Sequence, residues 1–352
     1  MATKRGPGET TPLSAAGEQL LPSFFVIGPP RTGTSWLHEI LRQSAWLSNP
    51  TKETRFFDKH FHRGLEWYGS HYREATGARR IGEIAPTYFA SAEARERIAV
   101  LIPRAKVVCT FRNPVDRVLS LYRLKRAYGL IPWTFEEAMA RDPELMESSR
   151  YAHHLKAWQC TLGSGQVMAT IYEDLRSDPQ SYLDAVTDYV DVPRIRLAPS
   201  QINRVLTSEG MTEPRNYYVT RAAAQLAEWS RALRLDAVVA EAKRWGMLKW
   251  FVGGGPAFPK LTYIERLKLY ELFRPEVEQL EMALNRDLSA WKYPRDYEAS
   301  EAPDATVEQA KLARSEPPIA VPPRSPDVEL SLEPFCGRSA AGPASDLSRI
   351  RG

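Results

Sequence analysis

Three groups of residues in this chain are equipped to work on an anion. The first is Gly28-Pro29-Pro30-Arg31-Thr32-Gly33-Thr34-Ser35-Trp36, in which two glycines bracket an arginine and hydroxyl residues crowd the second glycine. Glycines let the backbone curl until successive N–H groups converge on a tetrahedral anion, and the positive end of a following helix adds to the field. The second group is Thr110-Phe111-Arg112-Asn113-Pro114-Val115-Asp116-Arg117-Val118-Leu119-Ser120-Leu121-Tyr122. Arg112 offers the planar fork that suits a phosphate, and Ser120 lies about two turns into the helix that follows. The third is Lys52-Glu53. A carboxylate beside a cation can accept a proton while the cation neutralises charge on a leaving oxygen.

A loop built for a nucleoside triphosphate needs lysine directly after its second glycine, to reach the terminal phosphates. That position is Thr34, and the cation is Arg31, inside the loop. An ATP-consuming, P-loop kinase-like phosphotransferase is therefore disfavoured but stays as the first rival. A structural Gly-Pro turn would share the glycines, solvated or paired arginines would share Arg112 and Arg117, and a surface carboxylate paired to Lys52 or Arg55 would share Glu53.

These residues need elements to hold them. Phe24-Phe25-Val26-Ile27 is a short apolar run ending in glycine, and from Thr34 the residues Trp36, Leu37, Ile40 and Leu41 recur at helical spacing. Lys106–Phe111 is a second apolar run, followed by Asn113 as N-cap and Pro114 in the first helical turn. A third strand is expected over Val167–Tyr172, preceded by a helix from Tyr151 to Thr161 that Gly163 closes. Strands alternating with helices predict an α/β fold: a single P-loop-like three-layer domain with a central parallel sheet flanked by helices. In such a sheet ligands gather at the carboxyl ends of the strands, where the anion loop lies.

The chain has 352 residues, 43% of them apolar and a formal charge of +4, enough for a sizeable core and a mild bias toward anionic ligands. No dense Lys/Arg block points to nucleic acid, and no apolar stretch has the length of a signal peptide or a membrane span. Cys109, Cys160 and Cys336 are too scattered for a disulfide framework or a zinc site, so a reducing, cytoplasmic setting is expected. The expected organisation is a disordered segment over 1–21, a folded domain over 22–297 and a disordered Pro-rich tail over 298–352. His60 and His62 lack a third ligand, His153 and His154 face different sides of their helix, and no metal is expected. Trp229, Trp245 and Trp250 are read as core or cleft walls.

Arg31-Thr32-Gly33-Thr34-Ser35 resembles the 5′-phosphosulfate loop of the sulfotransferases that use 3′-phosphoadenosine 5′-phosphosulfate (PAPS), and the Arg112 to Tyr122 string resembles their 3′-phosphate element. Lys52-Glu53-Thr54-Arg55-Phe56-Phe57 with Gly64-Leu65-Glu66-Trp67-Tyr68 resembles segments of the heparan-sulfate type and related bacterial members. The resemblance spans roughly residues 22 to 295. It implies transfer of a sulfuryl group from PAPS to a hydroxyl or amine of an acceptor, a carbohydrate or other small molecule, leaving 3′-phosphoadenosine 5′-phosphate (PAP). It also implies donor contacts from Arg31, Thr32, Gly33, Thr34, Ser35, Trp36, Arg112 and Ser120, a base at Glu53, and charge stabilisation by Lys52 and Arg31. A noncatalytic nucleotide-binding module is the second rival.

Departures matter as well. Heparan 3-O-type members have histidine at the place of Arg55, and many relatives have lysine after the glutamate of the segment that here reads Glu83-Ile84-Ala85-Pro86-Thr87-Tyr88. Glu83 is read as a strand-end charge ahead of a second acceptor-cleft carboxylate. Tyr172-Glu173-Asp174-Leu175 resembles a family segment that is mainly structural there. Gly253-Gly254-Gly255-Pro256 stands in the place of the donor-covering loop, with Lys260 replacing its missing basic residues, and the helix that follows, with Leu267 to Phe273 before Pro275 and Val277 to Leu284 after it, resembles the family's closing helices.

Overall fold

The computed structural model describes residues 20–77, 79–206, 212–232 and 254–294. The two tail segments expected to be disordered lie outside these residues except for Leu20 and Leu21, and so do Trp245, Trp250, Gly253 and the side chain of Trp229.

Five strands form one parallel sheet: β1 (Phe24–Val26), β2 (Trp46–Leu47), β3 (Ile81–Ile84), β4 (Lys106–Phe111) and β5 (Val167–Ile171), in the order β2-β3-β1-β4-β5. Three of them coincide with the apolar runs read from the sequence. β2 and β3 escape such a reading because one is two residues long and the other, Ile81-Gly82-Glu83-Ile84, carries a glycine and a glutamate. β1 is central and buried on both sides. Successive side chains of a strand point to opposite faces. Phe24 and Val26 accordingly join one core cluster, and Phe25 and Ile27 another.

Helices cover both faces. α1 (Thr34–Leu41) packs Trp36, Leu37, Ile40 and Leu41 on the Phe24 side, where Tyr172, Leu183 and Val186 join it. α2 (Gly64–Gly69) and α3 (Ala92–Leu101) contribute Tyr68 and Ile98 to the Phe25 side. α4 (Pro114–Ala127) follows β4, with Pro114 in its first turn and the Asn113 Oδ1 accepting from the Val115 N–H at 3.0 Å. α5 (Phe135–Arg141) and α6 (Pro143–Glu147) lead to α7 (Tyr151–Leu162), which Gly163 ends at φ 100°. α8 (Tyr172–Ser177) and α9 (Pro179–Val190) follow β5, so Tyr172 opens a helix where the sequence suggested the end of a strand.

Later in the chain come α10 (Pro199–Leu206), α11 (Tyr217–Ala232) and α12 (Tyr263–Leu284). α12 runs through Pro275 as one helix. Its buried Leu269, Tyr270, Phe273, Val277 and Leu280 lie on both sides of the proline, and this packing carries the helix past a residue that would interrupt an isolated one. Gly254–Ala257 forms β7, antiparallel to β6 (Thr212–Pro214), so the glycine-rich segment is a strand here and not an open loop. Phe258, just beyond, is buried against Tyr122.

Candidate functional site

The anion loop leaves β1 and enters α1, and two glycines decide its shape. A Cβ on Gly28 would stand 1.8 Å from the Thr110 Oγ1, so only glycine lets β1 leave the sheet so close to β4. Gly33 has φ 94°, and a Cβ there would meet the side chains of Leu175 and Tyr172 at 3.0 and 3.1 Å. Arg31 also adopts a left-handed φ of 78°. The Thr32 hydroxyl points inward, donating to the Pro29 carbonyl at 2.7 Å and lying 2.5 Å from the Thr110 hydroxyl. Its side chain therefore shapes the loop and does not face a ligand.

Trp36, counted among the donor-binding residues from sequence, has both of its N–H groups engaged within the protein. Its N–H already serves the Gly33 carbonyl at 3.0 Å, and its buried indole donates to the Gln201 carbonyl at 3.1 Å. The helix-start amides of Thr34 and Ser35 remain for an anion, since the first N–H groups of a helix have no intrahelical acceptor.

Two arginines converge beside this nest. The Arg31 Nε donates to the Ser120 Oγ at 2.8 Å, although the two residues lie 89 positions apart. The Arg112 Nη1 is 3.5 Å from the Arg31 carbonyl, and its guanidinium lies over the Tyr172 ring, 4.8 Å from the centroid. The sequence assigned Arg31 and Ser120 to different ends of the donor, whereas here they touch. Burial, and then the nearby positive charge of Arg112, hold the Arg31 guanidinium below its ordinary value. Sequence reasoning missed Tyr172, whose aromatic identity next to a strand end is the signal that could have found it.

Arg117 is not a solvated charge. It is fully buried, and its Nη2 donates to the Leu145 carbonyl at 2.8 Å and to the Ser149 hydroxyl, tying α4 to the segment around α6.

Lys52 and Glu53 approach the loop from the far side. The Lys52 Nζ donates to the Ser35 Oγ at 2.9 Å and lies 3.4 Å from the Glu53 Oε1, with both side chains about one-third exposed, at 33% and 31%. Lys52 thus bridges the candidate base to the loop, while Arg31 turns away toward Ser120. A cavity of about 180 Å³ opens beside Lys52, lined among others by His38, Trp46, Asn49, Pro50 and Tyr72. Burial, then Lys52 and Arg42, push the His38 imidazole down to about 4, so it is neutral at ordinary pH. Arg55 is bound to Asp58 at 2.9 Å and adopts φ 53°. Lys260 is exposed, and among the described residues no hydrogen bond or ion pair joins it to the loop.

Glu83 is the largest departure from the sequence reading. It is fully buried within β3, not a charge at a strand end, and it is surrounded by Thr54, Tyr68 and Tyr88. Among the described residues no group of three or more His, Cys, Asp or Glu has metal-holding geometry.

A family model described as the sulfotransferase domain matches residues 21–226. This chain belongs to the sulfotransferase family. It is 30% identical over 195 residues to the bifunctional heparan sulfate N-deacetylase/N-sulfotransferase 2 of Bos taurus and 29% identical to that of Homo sapiens, in each case over 49% of this chain and 22% of the relative. The chain thus spans about a fifth of the length of these relatives. In fold it is similar to a sulfotransferase of Alicyclobacillus acidocaldarius, at 21% identity and a TM-score of 0.54, over 77% of this chain and 99% of the other. The anion loop, Arg112, Ser120 and the Lys52–Glu53 pair of this sulfotransferase all lie inside the matched span.

Proposed function

We propose that the protein transfers the sulfuryl group of PAPS to a hydroxyl or amine of an acceptor, with a carbohydrate as the acceptor class. The observation that carries this reading is the convergence on one loop of two arginines, neither in a salt bridge among the described residues, with Ser120 on one side and a Lys52–Glu53 pair on the other. Arg112, Arg31, Ser120 and the first amides of α1 supply donors for a nucleotide carrying separate phosphate groups. Lys52 stands where charge grows on the leaving 5′-phosphate, and Glu53 where the acceptor proton is released.

In the step itself an acceptor oxygen or nitrogen forms a bond to sulfur, and the bond from sulfur to the 5′-phosphate oxygen breaks with its electron pair. PAP departs, and the acceptor proton passes to Glu53. The side-chain cations meet the charge demand of this step, so no metal has a role in the reading. The names of the matched relatives place them on heparan sulfate, and a cavity with polar and aromatic walls opens beside Lys52.

Calorimetry with PAP and with ATP, together with transfer of labelled sulfate from PAPS to a panel of sugars, lipids and amines, tests the proposal. Tight PAP binding, weak ATP binding and transfer that collapses in Glu53→Gln are expected. Preference for ATP would restore the phosphotransferase, and PAP binding without transfer by the wild type would leave a nucleotide-binding module.

A further inference from the structure

Glu83 is a carboxylate with no cation beside it. It is fully buried, and among the described residues it makes no ion pair. Four donors hold it instead. The Thr54 N–H, the Thr54 hydroxyl and the Tyr88 hydroxyl reach the Oε1 at 3.3, 2.5 and 3.1 Å, and the Tyr68 hydroxyl reaches the Oε2 at 2.6 Å. A charge taken from water without a counter-ion is an expensive component, and an apolar side chain of similar volume would pack there at less cost.

Its partners show what the carboxylate holds. Thr54 directly follows Glu53. The Thr54 hydroxyl that donates to Glu83 also accepts from the Phe56 N–H at 3.1 Å, and the Tyr88 hydroxyl accepts from the Phe57 N–H at 3.2 Å. The backbone from 54 to 57, including the left-handed Arg55, is therefore pinned to one side chain of β3. β3 pairs with β1 in the register Phe25↔Glu83 and Val26↔Ile84, and β1 runs into the anion loop. The loop and the Lys52–Glu53 pair thus share one rigid reference.

We propose that Glu83 is a positioning residue for sulfuryl transfer, holding Glu53 and Lys52 in place against the anion loop through its grip on Thr54. The proposal rests on the reading of Glu53 as the base. Small displacements of a reacting group have large consequences for rate, which is the physical reason for so stiff a mount.

The clamp depends on the charge state of the carboxyl. Burial pushes Glu83 up to about 7 against the opposing pull of its donors. The titratable groups that face it are Tyr68, Tyr72 and Tyr88, all held above their ordinary value by burial and by Glu83 itself, so none titrates in the same window. The carboxylate form accepts from every donor. The protonated form must itself donate, and the Thr54 N–H cannot reverse its role. The grip is complete above pH 7 and weaker below it.

Glu83→Gln tests the assignment with three readouts: kcat against pH, PAP affinity by calorimetry, and the Thr54 amide resonance against pH. We expect kcat to fall about 10- to 100-fold, PAP affinity to stay within about twofold, and the limb of the pH profile near 7 to flatten. The wild-type Thr54 amide is expected to titrate with a midpoint near 7 and the variant's to be silent. Should Glu83→Gln fail to fold, Thr54→Val removes the shortest contact, and reduced kcat with retained PAP affinity is expected there as well. Wild-type kcat in a folded Glu83→Gln, or kcat and PAP affinity falling together, overturns the positioning role alone. A wild type that binds PAP but transfers nothing overturns the sulfotransferase reading and this proposal with it.

Discussion

The two charged clusters around the sheet are built on opposite terms. At the tips of β1 and β4, Arg31 and Arg112 bring like charges together beside one hydroxyl, one carbonyl, one aromatic face and, near Arg112, the Glu173 carboxyl, which forms no salt bridge among the described residues. On β3 a single carboxylate is met by four donors from three residues. Burial of Arg31, and then repulsion from Arg112, raise the energy of the first cluster until an anion arrives. The second gains little from any ligand, because its hydrogen-bonding capacity is already used. An excess of positive charge marks the place of recognition, and a carboxylate whose acceptor sites are filled marks the mount that holds the chemistry in register.

The contrast can be broken experimentally at four places, from the largest expected effect to the smallest. Glu53→Gln removes the base itself and is expected to lower kcat by about 10³, roughly 4 kcal/mol of barrier, with PAP affinity unchanged. An equal loss of PAP affinity would place Glu53 in the binding cluster.

Glu83→Gln, followed by chemical denaturation between pH 4 and 8, reads the saturated cluster through stability. A carboxyl raised from 4.5 to about 7 keeps its proton in the native state after the unfolded chain has released it. The contribution of the group is therefore whole below about pH 4.5 and is lost as pH rises through 7, a decline of about 3 kcal/mol that the glutamine variant should not show. A parallel decline in both proteins would mean that the carboxyl is not held as described.

Arg112→Ala should weaken PAP binding about 30-fold, or ~2 kcal/mol, in a titration calorimeter. It should change the melting temperature little, because the protein contacts of this arginine are a 3.5 Å approach to the Arg31 carbonyl and a ring contact to Tyr172, with no salt bridge among the described residues. Ser120→Ala is expected to weaken PAP binding by a factor of about 5, or ~1 kcal/mol, since it deletes one neutral partner of Arg31. If Ser120→Ala outweighs Arg112→Ala, the charged cluster is organised around the hydroxyl and not around the arginine fork.

Residues that act through their neighbours in the chain were the legible ones. Gly28 and Gly33 announce a curled loop, Asn113-Pro114 a helix start, and Lys106–Phe111 a buried strand, because turn chemistry, capping and hydrophobic runs are local properties. The same locality explains what was not legible. Trp36 sits in the loop motif, yet its N–H belongs to Gly33 and its ring to the core. Glu83 lies in a four-residue strand with too little pattern to be seen.

By itself the sequence determined which segments curl, cap and extend, and with them the α/β layering and the anion loop at a strand tip, since each rests on interactions among residues a few positions apart. Only the tertiary structure decided that Arg31 meets Ser120 across 89 residues, that Lys52 reaches Ser35, and that Glu83 is sealed from water among two tyrosines and a threonine. Burial and through-space charge set those relations, and neither is encoded in the spacing of residues along the chain.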